Sequence, residues 1–175
     1  MKAIFERRSV RDFVKVPVSD KLIHYLIKTA MNAPNAGHQR PWEFVVVRDE
    51  KVLKSLSEMA GYENDYNNVD ASIVVCINKS RLQWDGYWQM DTGTAVENMM
   101  IAATNEGYGT LWLEVFPVEE KITITQEILS LPDDVIPMMV MPIGKSRSDV
   151  EREPVFIDSQ IHYNQWESKL QDDKK

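Results

Sequence analysis

Five consecutive residues near the start of the chain, Arg7-Arg8-Ser9-Val10-Arg11, carry three guanidiniums and a hydroxyl. In an extended segment the side chains at 7, 9 and 11 project to one side at steps of about 6 to 7 Å, presenting two guanidiniums and a hydroxyl together. That face suits a phosphate, because arginine's planar fork takes two phosphate oxygens at once and each charge-assisted hydrogen bond contributes on the order of 1.5–3 kcal/mol. The same residues also read as a solvated basic patch on an acidic chain. A second group lies at residues 33–42, where Pro34 and Pro41 restrict the chain path and Gly37 permits a positive φ. Asn35, His38 and Gln39 crowd donors and acceptors into this short span, which could grip a heteroaromatic ring or simply form a turn beside a packed Trp42.

Other chemistries lack their signatures. The chain has no G-x-G-x-x-G, no phosphate-loop motif and no G-x-S-x-G. His24, His38 and His162 are far apart, with no carboxylate at a metal-ligand spacing, so no metal site is expected. Cys76 stands inside an apolar run and reads as core. No side chain is expected to act as nucleophile or acid–base pair, so a cofactor would carry any reaction.

The elements that must position these groups follow from periodicity. Apolar residues at helical spacing predict a helix over 19–32, with Ser19 as N-cap and Pro34 beyond its end, and another over 49–60. Residues 43–47 and 73–77 read as strands, the latter continuously apolar. Residues 79–89 look loop-like, and a largely buried helix follows over 90–106, ended by Gly107 and Gly109. A strand over 110–115, a helix over 119–130 and a last strand over 135–143 complete the pattern. Pro137 and Pro142 predict that this last strand is an edge or is shortened. Alternating helices and short strands indicate an α+β or α/β domain over residues 1–166, with a charged, fraying tail over 167–175. The stretch after Gly144 shows no period with which to bury itself, and is expected to pack along another surface.

With 175 residues, 43% hydrophobic and 27% charged, the chain suits one globular domain. A net charge of −7 disfavours nucleic acid as a partner. A single cysteine excludes an internal disulfide and suits a reducing cytoplasm, and no apolar run approaches a membrane span.

The Arg7–Arg11 block, the loop over 33–42, Asp91-Thr92-Gly93-Thr94-Ala95-Val96-Glu97-Asn98, Gly107-Tyr108-Gly109-Thr110-Leu111-Trp112, Pro142-Ile143-Gly144-Lys145 and Ile161-His162-Tyr163 together resemble the nitroreductase family of FMN-dependent oxidoreductases. The blocks fall in the family's order from residue 3 to about 166. The resemblance implies an α+β fold with a central mixed or antiparallel sheet flanked by helices, in an intertwined homodimer with an exchanged C-terminal arm. It implies FMN as cofactor, NADH or NADPH as donor, and a planar electron-poor acceptor such as a nitroaromatic or quinone, reduced in ping-pong fashion. By matching position, Arg7, Arg8, Ser9 and Arg11 would hold the phosphate and ribityl chain, joined after Gly144 by Lys145 or Arg152. Pro34, Asn35, Ala36, His38 and Gln39 would line the ring from the other subunit, and Glu114-Val115 would offer it a backbone N–H. Arg11 or Arg40 would face the ring's electron-rich edge, and Trp84, Tyr87 and Trp88 would floor a substrate pocket. Where the family often has asparagine, glutamine, tyrosine and a small residue, this chain has His38, Glu97, Lys145 and Val115. A flavin carrier or sensor without nicotinamide turnover is the alternative.

Overall fold

Twelve residues, Val135–Ser146, form the strand around which the sheet is arranged. The computed structural model describes residues 2–62, 68–148 and 153–166. In chain order the elements are α1 (Lys2–Glu6), β1 (Phe13–Val14), α2 (Asp20–Met31), β2 (Trp42–Val47), α3 (Glu50–Ala60), β3 (Ala71–Asn78), α4 (Trp88–Asn105), β4 (Gly109–Thr110), β5 (Leu113–Glu114), α5 (Glu119–Leu129) and β6 (Val135–Ser146). The sheet runs β1-β6-β3-β2, with β4 and β5 also paired to β6, and every one of these pairings is antiparallel.

The two prolines do not place β6 at an edge, as the sequence pattern predicts. Continuing the register of Thr110 with Ile143 puts Pro142 opposite residue 111, in the break between β4 and β5. Pro137 lies beside the bulge where the β3 register shifts between Val75 and Cys76. The ladder is interrupted at both places, so an interior strand tolerates the bonds that proline nitrogens cannot donate. The same break divides the expected strand over 110–115 into β4 and β5.

Side-chain alternation sorts the core into two clusters. Ile73, Val75 and Ile77 of β3 and Met139, Met141 and Ile143 of β6 meet Leu22, Ile23 and Leu26 of α2 and Ala95, Val96 and Met99 of α4. Val74, Cys76 and Val140 on the opposite face meet Leu53 and Leu56 of α3 and Ile122 of α5. A sheet covered on both faces explains why β3 reads as one apolar run even though its neighbours are antiparallel.

Local chemistry sets the helix ends. Ser19 Oγ accepts the Leu22 N–H at 3.2 Å, Asp49 Oδ1 accepts from Lys51 and Val52, and Gly61 closes α3 at φ 77°. The span 79–89 is not all loop, because α4 begins at Trp88, preceded by 3-10 turns at 79–81 and 85–87. At the other end of the fold, residues 153–160 are all exposed, with Val155 at 86% and Phe156 at 77%. The expected fraying tail over 167–175 lies outside the described residues. Among the described residues no helix is long and apolar enough to cross a membrane.

Candidate functional site

The chain between α1 and β1 runs along β4, with Ser9 bridged to Thr110 and the Val10 N–H donating to Thr110 O at 2.9 Å. This close approach needs Gly109, since a Cβ there would sit 2.4 Å from Val10 Cγ2. Beside it opens a cavity of about 940 Å³ whose wall includes Arg8, Ser9, Arg11, Gly107, Tyr108 and Lys145. Lys145 Nζ donates to Gly107 O at 2.5 Å and lies 4.0 Å from the centre of the Tyr108 ring, which pins its charge at the wall. Arg8 Nη1 donates to Phe5 O and Arg7 O, both at 2.7 Å, so this arginine also ties off the end of α1.

The simple alternation of 7, 9 and 11 does not hold. α1 extends to Glu6, the Arg7 N–H completes it by donating to Ala3 O, and Arg7 Nε is 3.2 Å from Glu97 Oε1 on α4. Arg7 is therefore held against α4, while Arg8 takes a place on the cavity wall. Gly144 also stands apart from that wall, buried under Phe13, where a Cβ would lie 2.8 Å from Phe13 Cδ1. Arg152 lies outside the described residues. Two guanidiniums, an ammonium and a serine hydroxyl on one concavity make a donor set suited to a phosphate ester and its polyol, although Glu6, Asp12 and Glu153 also reach the wall.

The second group gathers at the start of α4. Gly37, His38 and Arg40 have φ of 52°, 57° and 47°, a tight path that holds the loop against the helix. Asn35 Oδ1 accepts the Arg40 N–H at 2.9 Å, and Pro34 O accepts from Thr94 Oγ1 at 3.2 Å. His38 and Arg40 are exposed, and Asn35 and Ala36 are partly so. Gln39 departs from the expected ring contact: it is buried, and its amide is occupied by Asp91, Gln83 and Trp84. Asp91 is the residue that sequence reasoning missed, a carboxylate 5% exposed that accepts the Ala36 N–H and Gln39 Nε2. Its signal was its place four residues before Ala95 and eight before Met99, on the buried stripe of α4.

The remaining candidates separate. Trp84 and Tyr87 are about half exposed, and Trp84 lies against Gly37. Trp88 instead packs edge-on to Phe116 at 4.9 Å, against the core. Val115 is buried with its N–H already donated to Met138 O at 3.1 Å, which removes it as a free backbone donor, while Glu114 is exposed and paired with Lys121 at 3.6 Å. Burial and the Glu43 carboxylate across the strand pair push the Cys76 thiol up to about 12, leaving it protonated and inert in the native protein.

The nitroreductase family model matches residues 4–89 and 83–145. The chain belongs to this family. It is 35% identical over 171 residues to an Archaeoglobus fulgidus protein named "Putative NADH dehydrogenase/NAD(P)H nitroreductase", across 95% of this chain and 98% of that one. A structure under the same name from Parabacteroides distasonis superposes with a TM-score of 0.86 at 32% identity, covering 94% of this chain and 97% of its own. An FMN-dependent nitroreductase from Clostridium difficile R20291 gives a TM-score of 0.83 at 25% identity, covering 95% of this chain and all of its own. The antiparallel sheet flanked by helices is thus the nitroreductase fold.

Proposed function

We propose that the chain is an FMN-dependent oxidoreductase that takes electrons from NADH or NADPH and passes them to a planar, electron-poor acceptor such as a nitroaromatic or quinone. The observation that carries this reading is the cavity walled by Arg8, Ser9, Arg11 and Lys145 in a member of the nitroreductase family. These residues fit the phosphate and polyol end of FMN. When bound, FMN would supply the redox chemistry, hydride transfer between the nicotinamide and the second substrate.

The protein's part is to bind, orient and shield. Arg8, Arg11 and Lys145 would neutralise the phosphate, and Ser9 would donate to it. Pro34, Asn35, Ala36 and His38 form the ring-facing loop, with Gln39 acting as its internal support. Arg40, exposed on that loop, or Arg11, on the cavity wall, would face the ring's electron-rich edge.

A single chain sets these two halves far apart. Thr104, at the cavity, and Asp91, at the loop, are 13 residues apart on α4, about 20 Å along its axis. A second copy whose α4 runs antiparallel to the first brings the loop of one to the cavity of the other, so a homodimer with two shared sites is part of the proposal. Exposed Ile4, Phe5, Met31, Met90, Val155 and Phe156 offer apolar surface for that association.

Initial-rate kinetics with NADH or NADPH against a quinone tests the reading. Parallel double-reciprocal lines are expected. Tight flavin binding with no turnover by either nicotinamide would replace the enzyme with a carrier or sensor.

A further inference from the structure

The ring-facing loop is held by one carboxylate from another element. Asp91 Oδ1 accepts the Ala36 N–H at 2.9 Å, and Oδ2 accepts Gln39 Nε2 at 2.7 Å. Gln39 then uses its remaining capacity on the next segment: Oε1 accepts the N–H groups of Gln83 and Trp84 at 3.1 and 3.0 Å, and Nε2 also approaches Trp84 O at 3.5 Å. The Trp84 indole closes the circuit by packing on Gly37, where a Cβ would meet Nε1 at 2.4 Å. Loop, helix and aromatic segment are thereby one unit, yet Trp84 stays 54% exposed, with surface to offer a ligand.

We propose that Asp91 is a positioning residue for acceptor choice, acting through Gln39 to hold Trp84 as an aromatic wall beside the ring-facing loop. This rests on the reading above that the loop over 34–39 borders the flavin ring. The physical basis is donor–acceptor matching. A carboxylate accepts both bonds, whereas an amide at the same place turns its NH₂ towards either the Ala36 N–H or the Gln39 NH₂ and leaves a buried donor unpaired. A planar acceptor with two fused rings gains more from an indole wall than one with a single ring, so the placement of Trp84 sets the preference between them.

The test uses the full-length protein with 5-fluorotryptophan incorporated, the Trp84 fluorine resonance being assigned with Trp84→Phe. Asp91→Asn is expected to shift or broaden the Trp84 resonance more than those of the other four tryptophans. It is also expected to change several-fold the ratio of kcat/KM for a naphthoquinone to that for a benzoquinone. Adding Gln39→Glu, which exchanges donor and acceptor across the pair, should return both readouts towards wild type. Trp84→Ala should change the ratio in the same direction, and adding Asp91→Asn to it should change it no further. An unmoved Trp84 resonance, a shifted resonance with an unchanged acceptor ratio, or additive effects of the two substitutions would each overturn the proposal. A wild-type protein that cannot bind flavin overturns the underlying reading as well, and is recognised before any variant is made.

Discussion

Arg11 is exposed on the cavity wall, whereas Arg8 also ties off the carbonyls of α1. Arg11→Ala should therefore remove a phosphate contact with little effect on folding, weakening FMN binding by roughly ten- to a hundredfold, measurable by flavin fluorescence titration. Arg8→Ala should lower the melting temperature as well. The Arg7–Glu97 pair is half exposed and contributes at most about 1 kcal/mol, so Glu97→Gln should leave stability nearly unchanged. Cys76 gives a prediction in pH. Its thiol is held near 12 in the fold against 9 for an ordinary cysteine, so above pH 9 the unfolded chain releases a proton that the native chain keeps. The native state then binds more protons, and stability contributed by the neutral thiol falls as pH rises from 9 towards 12. Thermal melts should show a shallower alkaline decline in Cys76→Ala than in wild type, and equal slopes would show that the buried thiol is not the cause.

At the scale of elements, Gly109 lets the Arg-bearing segment lie against β4. Gly109→Ala should push Val10 away, cost about 1–3 kcal/mol in thermal or denaturant melts and reduce flavin retention, with Val10→Ala recovering part of both. The helices α2 and α3 were legible to within a residue because their apolar stripes are clear and, for α2, because Ser19 marks its start chemically. The five residues of α1 are too few to show a period. The central place of β6 was hidden because proline reports a missing donor, and only the finished sheet reveals that no donor was needed there. The cationic character of the Arg7–Arg11 block was readable from residue type, but which of its arginines face the cavity depended on where α1 ends. Gln39 looked like a ligand contact because sequence shows a polar side chain and not the partners that consume it.

At the scale of the molecule, the proposed site is divided between two copies, and genetic complementation follows from that division. A copy carrying Arg11→Ala loses the cavity half, and one carrying His38→Ala in the loop loses the other. Co-expressed, mixed dimers hold one site with neither change and, at an FMN concentration too low to fill the Arg11→Ala site, should show more activity than either variant alone, and failure to do so would place both halves in one chain. Dimer mass by light scattering should fall when residues 153–175 are removed, since the exposed Val155 and Phe156 are apolar surface left uncovered by their own chain. The central claim is that this fold holds FMN and exchanges electrons with a nicotinamide, and the visible spectrum of the purified, FMN-reconstituted protein under anaerobic titration with NADH and then NADPH tests it most directly. Flavin bands that bleach with at least one donor are predicted, and a protein that takes up no FMN, or whose bands neither donor bleaches, would contradict it.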